Sequence, residues 1–152
     1  MKIKLPNATI ITREAKWTDY NYCYRLARRN MFPYYQKHTI EWSPKNYREN
    51  FNIHNITIIE LNNRRIGFFK FEIRQDNWYL ADLQISRYQR GKGIGKYVMS
   101  YIESIATKNT NNLIRLSVFI DNPAVEFYKK IGYKIIENKN SKYLLEKKFK
   151  IN

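Results

Sequence analysis

Cysteine is nearly absent from this 152-residue sequence: Cys23 stands alone, so no internal disulfide supports the fold. Histidine is as scarce, and His38 and His54 are isolated, so no Cys/His cluster has zinc spacing and no metal site is expected. No apolar run approaches the length of a membrane span, which predicts no membrane segment. Met1 to Ile11 carries lysines, a proline and an asparagine where a signal peptide would need an apolar stretch, which predicts a soluble cytoplasmic protein. Negative charge is short too, with 13 Asp and Glu against 28 Lys and Arg and a net charge of +15. That excess favours polyanionic ligands or partners over long range but carries no information about fold. Hydrophobic residues, at 43%, and aromatics, at 16%, are plentiful, and the length suits a single domain, 1–152, with a core of its own.

Gly91, Gly93 and Gly95 fall together in Ile85-Ser-Arg-Tyr-Gln-Arg-Gly-Lys-Gly-Ile-Gly-Lys, between an apolar strand and an amphipathic helix. Residues without a Cβ let the chain turn sharply and an anion approach its N–H groups. The first N–H groups of the following helix lack intrahelical partners, and Arg90 and Lys92 add full charges beside them. Together these suit a phosphate or pyrophosphate. The P-loop pattern needs Ser or Thr after Gly-Lys, and Gly93 follows Lys92 here. The dinucleotide fingerprint G-x-G-x-x-G is not met either, since the spacing is G-x-G-x-G.

Taken in order, Ala8 to Thr12 reads as a strand, and Thr18 or Asp19 caps a helix that runs to about Asn30. Pro33 is expected to keep Met31 to Gln36 from continuing as regular helix. Ser43 and Pro44 open a second short helix reaching about Phe51. Ile56 to Leu61, Arg65 to Arg74 and Trp78 to Ile85 form an antiparallel meander, joined by Asn62-Asn63-Arg64 and by Gln75-Asp76-Asn77. Ile94, Val98, Ile102 and Ile105 give the next helix an apolar stripe with Tyr101 beside it. Leu113 to Ile120 is a fifth strand, parallel to the one before the helix. Asn122 caps a further helix that Pro123 opens and Gly132 ends, and Tyr133 to Glu137 with Tyr143 to Phe149 closes the chain as a hairpin.

Two patterns, R-x-x-G-x-G at Arg90, Gly93 and Gly95 and N-x-A…F-Y-x-x-x-G-[FY] from Asn122 to Tyr133, resemble the signatures of the GNAT superfamily of N-acetyltransferases, in that family's order and separation. The resemblance implies an α/β (α+β) fold with a central mixed, mostly antiparallel sheet of about six to seven strands, about four helices, and a splay at the cofactor site. It also implies acetyl-CoA as cofactor, with CoA as product. On it, the strand end Leu83, Gln84 and Ile85 binds the pantetheine arm, and the loop Arg90, Gly91, Lys92, Gly93, Ile94 and Gly95 holds the pyrophosphate. Asn122 contacts the cofactor arm and Tyr128 sits near the thioester sulfur. Many members separate the Asn and the Tyr by an offset of seven, whereas Asn122 to Tyr128 is six and Asp121 has the longer offset. The segment between the first two helices covers the acceptor pocket in this family, so Phe32, Tyr34, Tyr35 and Trp42 line it or else pack on the sheet edge.

An amine attacking an acetyl thioester expels a thiolate, and a phenol with an ordinary pKa of about 10 is a suitable general acid for it, which assigns that role to Tyr128. Glu72 and Asp82 are the candidate bases. Asp82 and Gln84 alternate with Leu83 and Ile85 and so face the opposite side. Cys23 needs no catalytic role. Three classes of function stay open: acetyltransfer to a small amine or amino-acid-like metabolite, which leads; acetyltransfer to a protein amine or aminoacyl-tRNA, as in toxin members of the superfamily; and a non-enzymatic nucleic-acid binder, which shows no recognised binding module. A monomer and a homodimer are both compatible with the sequence.

Overall fold

Eight strands and four helices are present among residues 2–6, 8–75, 77–108 and 112–150, which the computed structural model describes. In chain order they are β1 (Lys2–Lys4), β2 (Thr9–Glu14), α1 (Tyr20–Lys37), α2 (Pro44–Glu49), β3 (Ile56–Leu61), β4 (Arg64–Arg74), β5 (Asn77–Ile85), α3 (Ile94–Thr107), β6 (Leu113–Phe119), α4 (Ala124–Lys130), β7 (Lys134–Lys139) and β8 (Lys142–Lys148). The strands form one mixed sheet ordered β1-β2-β3-β4-β5-β6-β8-β7. The sheet is larger than expected by β1, whose three residues pair antiparallel with β2 and are too few to show a period. No described helix is long and apolar enough to cross a membrane.

Turn chemistry sets the hairpins. Asn62 and Asn63 have φ of 51° and 62°, and Asn140 and Ser141 have 54° and 66°. Two successive left-handed residues match the twist of the strands they join, and Asn tolerates that region better than most side chains. Gln75 also has positive φ, at 56°, while Asp76 of the same expected turn lies outside the described residues. β5 and β6 run parallel, as a connection through a whole helix requires. Their register runs from Trp78↔Ile114 to Leu80↔Leu116, with Ala81 to Ile85 of β5 lying beyond it.

The chain divides into two compact units, residues 1–70 with 82–95 and residues 71–81 with 96–152. In the first, Cys23, Leu26 and Ala27 form the buried stripe of α1 and pack with Ala15, Phe51, Ile56, Ile58 and Phe68. Helix α1 does not stop near Asn30 but passes through Pro33 to Lys37. Proline removes one N–H and crowds the carbonyl four residues earlier. The turns after it are held by Tyr35 against Trp42, with ring centroids 5.0 Å apart, and by His38 N–H donating to Tyr34 O at 3.0 Å.

A 3₁₀ turn, Trp17–Asp19, precedes α1, and Asp19 occupies the N-cap position without capping through its side chain. Its carboxylate accepts instead from Arg13 at 2.8 and 2.9 Å, from Arg65 at 3.2 Å and from Lys16 N–H at 2.8 Å. Asp19 is 1% exposed, and the hydrogen bond from Arg13 lowers its pKa to about 2 against the opposing effect of burial. Ser43 and Pro44 open α2 as the sequence predicts, with Ser43 Oγ accepting from Asn46 N–H at 3.1 Å.

In the second unit, the buried residues of α3 include Val98, Met99, Ile102 and Ala106. The expected Ile105 is only half-buried, because at 3.6 residues per turn the stripe through Val98 and Ile102 reaches Ala106. Glu103 on the same helix accepts from the Tyr133 hydroxyl at 3.0 Å and from Lys147 Nζ at 3.0 Å, while Lys147 also donates to Ile131 O at 2.7 Å. Burial, and then Glu103, raise the Tyr133 phenol above its ordinary pKa.

Candidate active site

Gly67, in the apolar middle of β4, sets how closely that strand meets the end of β5. A Cβ there would overlap the carbonyl oxygen of Gln84 and lie 3.2 Å from Ile85 Cα. Ser86 N–H donates to Ile66 O at 2.8 Å, which ties the chain down just past β5. The Ile85 carbonyl accepts from side chains, Arg90 Nε at 3.3 Å and Asn30 Nδ2 at 3.4 Å. Leu83, Gln84 and Ile85 therefore occupy a strand end fixed by backbone packing on one side and by polar side chains on the other.

The glycine loop follows. Gly91 and Gly93 have φ of +75° and +79°, a region L side chains rarely enter, and nothing lies within 4 Å of where a Gly91 Cβ would sit. Backbone conformation, and not crowding, is what requires glycine at 91. Ile94 is the first residue of α3 and Gly95 the second, so the unpaired N–H groups of the first turn open directly from the loop. Arg90 and Lys92 are exposed, with Lys92 Nζ reaching Gln89 Oε1 at 3.4 Å. Tyr88, 68% exposed, accepts from Arg87 at 3.2 Å, and this contact, with a smaller contribution from Arg29, lowers its phenol pKa. Left-handed glycines, a helix N-terminus and several cations at one corner fit a phosphate or pyrophosphate.

Beside the strand end, Gln84 Nε2 donates to Asp82 Oδ1 at 2.6 Å, and Asn30 Nδ2 donates to Gln84 Oε1 at 3.0 Å. The sequence placed Asp82 and Gln84 on one face, and they are bonded to each other there. That face is covered: Gln84 is 7% exposed. Of the four expected acceptor-pocket aromatics, Tyr35 and Trp42 touch, and Trp42 Nε1 donates to the Tyr24 hydroxyl at 3.2 Å. Tyr47 stacks on Trp42 with centroids 6.1 Å apart and meets Tyr24 edge-on at 5.3 Å, which adds two rings that the sequence reading did not single out. Tyr20 and Tyr24, one helical turn apart, carried the signal for that extension. Phe32 has the Arg28 guanidinium over its face at 4.4 Å, and Tyr34 is half-buried. Asn30 and Gly67 were also missed, although a glycine inside an apolar strand marks a close backbone approach.

Glu72, Asn122 and Tyr128 belong to the second unit. Glu72 is engaged by Arg74 at 2.7 Å, and the Arg74 guanidinium lies 3.9 Å from the Tyr79 ring centroid. Asn122 Oδ1 accepts from Ala124 N–H at 2.9 Å, so its side chain holds the start of α4, and Gly132 follows that helix with φ of +105°. Tyr128 is buried between the rings of Phe127 and Tyr133, at 5.2 and 5.7 Å.

The family model described as Acetyltransferase (GNAT) family matches residues 19–133, which includes both sequence signatures. The chain belongs to the GNAT acetyltransferase family. Solved structures of similar fold include the PaiA N-acetyltransferase of Thermoplasma acidophilum in complex with coenzyme A, at 22% identity and a TM-score of 0.75, covering 92% of this chain and 99% of that one. Naa50 of Arabidopsis thaliana, in complex with the bisubstrate analogue CoA-Ac-MVNAL, matches at 20% identity and a TM-score of 0.70, covering 92% and 99%. N-acetylglutamate synthase of Neisseria gonorrhoeae, complexed with coenzyme A and N-acetyl-glutamate, matches at 16% and 0.72, covering 91% of this chain and 35% of that one. No curated protein matches the sequence. In this GNAT chain the mixed sheet and four helices among the described residues agree with the fold that the signatures implied, with one strand more than expected.

Proposed function

We propose that this protein is an acetyl-CoA-dependent N-acetyltransferase acting on a primary amine of a small metabolite or amino-acid-like acceptor. The observation that carries the reading is the loop from Arg90 to Gly95, where two left-handed glycines and exposed cations lead from β5 straight into the N-terminus of α3. Arg90, Lys92 and the first N–H groups of α3 hold the pyrophosphate, and the backbone of Leu83 to Ile85 holds the pantetheine arm. Acetyl-CoA supplies the acyl group as a thioester: the amine nitrogen bonds to the carbonyl carbon, the C–S bond breaks, and the amine loses a proton as the sulfur gains one. Tyr128 donates that proton to the sulfur, an assignment supported by its place in the second signature. Asp82 and Glu72 are the candidate bases for the acceptor side, the first bonded to Gln84 and the second engaged by Arg74. Positioning of the two reactants supplies much of the rate gain.

CoA release against a panel of amines tests the reading. Tyr128→Phe is expected to lose at least about a hundredfold in turnover, the range a proton donor contributes, while acetyl-CoA binding is retained. Equal turnover in the variant would remove Tyr128 from the reaction. A protein amine or aminoacyl-tRNA is the second reading, favoured by the net charge of +15. It requires salt-dependent association with RNA or with an acidic protein, which the small-acceptor reading does not.

A further inference from the structure

Outside the glycine loop, the first unit holds a second group of cations. A cleft of about 380 Å³ is lined from α1 by Tyr22 and from the ends of β2, β3 and β4 by Arg13, Glu60, Asn63, Arg64 and Arg65. None of these residues lies in the strand end or the loop assigned to acetyl-CoA. Glu60 stands directly opposite Arg65 in the ladder, and Arg13 is paired with Ile58, two residues before Glu60, so the three side chains leave one face of the sheet. Asp19, 1% exposed, anchors two of the arginines. It accepts twice from Arg13, once from Arg65 and once from Lys16 N–H, which fills the roughly four positions a carboxylate offers. Arg13 also donates to Glu60 at 3.3 Å. Arg65 gives one N–H to Asp19 and lies over the Tyr22 ring at 4.6 Å. A guanidinium stacked through its face keeps its N–H groups in its own plane, so the rest of the Arg65 fork is held in place and still available. Arg64 is exposed and makes no hydrogen bond or ion pair among the described residues. Three guanidiniums against the carboxylates of Asp19 and Glu60 leave one positive charge at the cleft.

We propose that this cleft binds a small phosphate, free or as a monoester, at a site separate from the cofactor loop. Arg64 and Arg65 present two forks from neighbouring positions of β4, with Arg13 and Asn63 beside them. Donors on several side chains suit a tetrahedral dianion better than a flat carboxylate, which one guanidinium satisfies alone. The volume is at the small end for ligand clefts and admits a phosphate with a short organic body. The inference goes beyond the acetyltransferase reading and does not depend on it.

Inorganic phosphate is the probe, titrated into the isotope-labelled full-length chain at pH 8 and constant ionic strength. NMR follows the backbone amides of Asn63 to Arg65 and the arginine Nε–H groups. Saturable shifts at these positions are expected, with affinity at least about tenfold above that for acetate. Glycerol phosphate run alongside tells the two sources apart, binding more tightly than the free ion where the cleft takes a monoester and less tightly where it does not. Arg64→Gln removes a side chain that bonds nothing in the fold, and phosphate affinity at the cleft falls by at least about tenfold. Saturating acetyl-CoA leaves the phosphate shifts at 63–65 in place. Absence of saturable shifts there, equal affinity for acetate, or wild-type affinity in Arg64→Gln overturns the proposal. Displacement of phosphate by acetyl-CoA also overturns it, because the cleft would then belong to the cofactor site. A folded chain that binds phosphate at the cleft but no acetyl-CoA would remove the acetyltransferase reading alone.

Discussion

Replacing Gly67 by alanine adds one methyl group where the structure has no room for it. The new Cβ overlaps Gln84 O and sits 3.2 Å from Ile85 Cα and 3.3 Å from Gln84 C. All three are backbone atoms of β5, so no side chain can rotate away and the strand end itself must shift. Overpacking a core against movable side chains costs about 1–3 kcal/mol, and a rigid backbone neighbour sets the expectation at about 3 kcal/mol. For a chain of this size, each kcal/mol lowers Tm by about 2–4 °C, which gives a loss of about 6–12 °C. The shift moves Leu83 to Ile85, so acetyl-CoA affinity should fall by about tenfold or more. Gly91→Ala is the control: its Cβ meets nothing within 4 Å, and only the φ of +75° is costly, at about 1–2 kcal/mol. Thermal melting and calorimetric titration of the three proteins read both effects. A Gly67→Ala protein that melts no lower than Gly91→Ala and binds acetyl-CoA like the parent would refute the argument that the strand end is fixed by this close approach.

Asp19→Asn should lose about 2 kcal/mol at pH 7, because a carboxylate lowered from 3.8 to about 2 contributes stability that is present above about pH 4 and is lost as pH falls through about 2. Urea unfolding at pH 7 and pH 2.5 should therefore show the gap between variant and parent narrowing at the lower pH, and a constant gap would contradict the pairing with Arg13. Burial foremost, and then the charges of Asp19 and Asp82, push the Cys23 thiol up to about 12. Iodoacetamide at pH 8 should thus modify the native protein only as fast as it unfolds, and rapid stoichiometric labelling of folded protein would contradict its burial.

What could be read from the sequence was what depends on local chemistry. Asn62 with Asn63, Ser43 with Pro44, and the glycine-rich loop each state their backbone requirement within a few residues, and the structure meets it at each place. The continuation of α1 through Pro33 was not legible, because the contact between Tyr35 and Trp42 that supports it joins residues on either side of the helix end. β1 was missed for want of length. Asp19 reads as a helix cap, but Arg13, on the strand before the helix, and Arg65, far along the chain, take its carboxylate. At the site, the loop was explicit in Arg90, Gly91 and Gly93, whereas Asn30 and Gln84, which also bonds Asp82, are joined across 54 residues of chain, a distance no local pattern spans.

Calorimetric titration of acetyl-CoA into the wild type and into Gly93→Glu asks whether the loop from Arg90 to Gly95 holds the cofactor. Gly93 has φ of +79° in the loop, and the substitution adds both backbone strain and a negative charge beside Arg90 and Lys92. Saturable binding to the wild type and none to a folded variant are expected. A folded wild type that fails to bind, or a variant that binds equally well, would contradict that role for the loop.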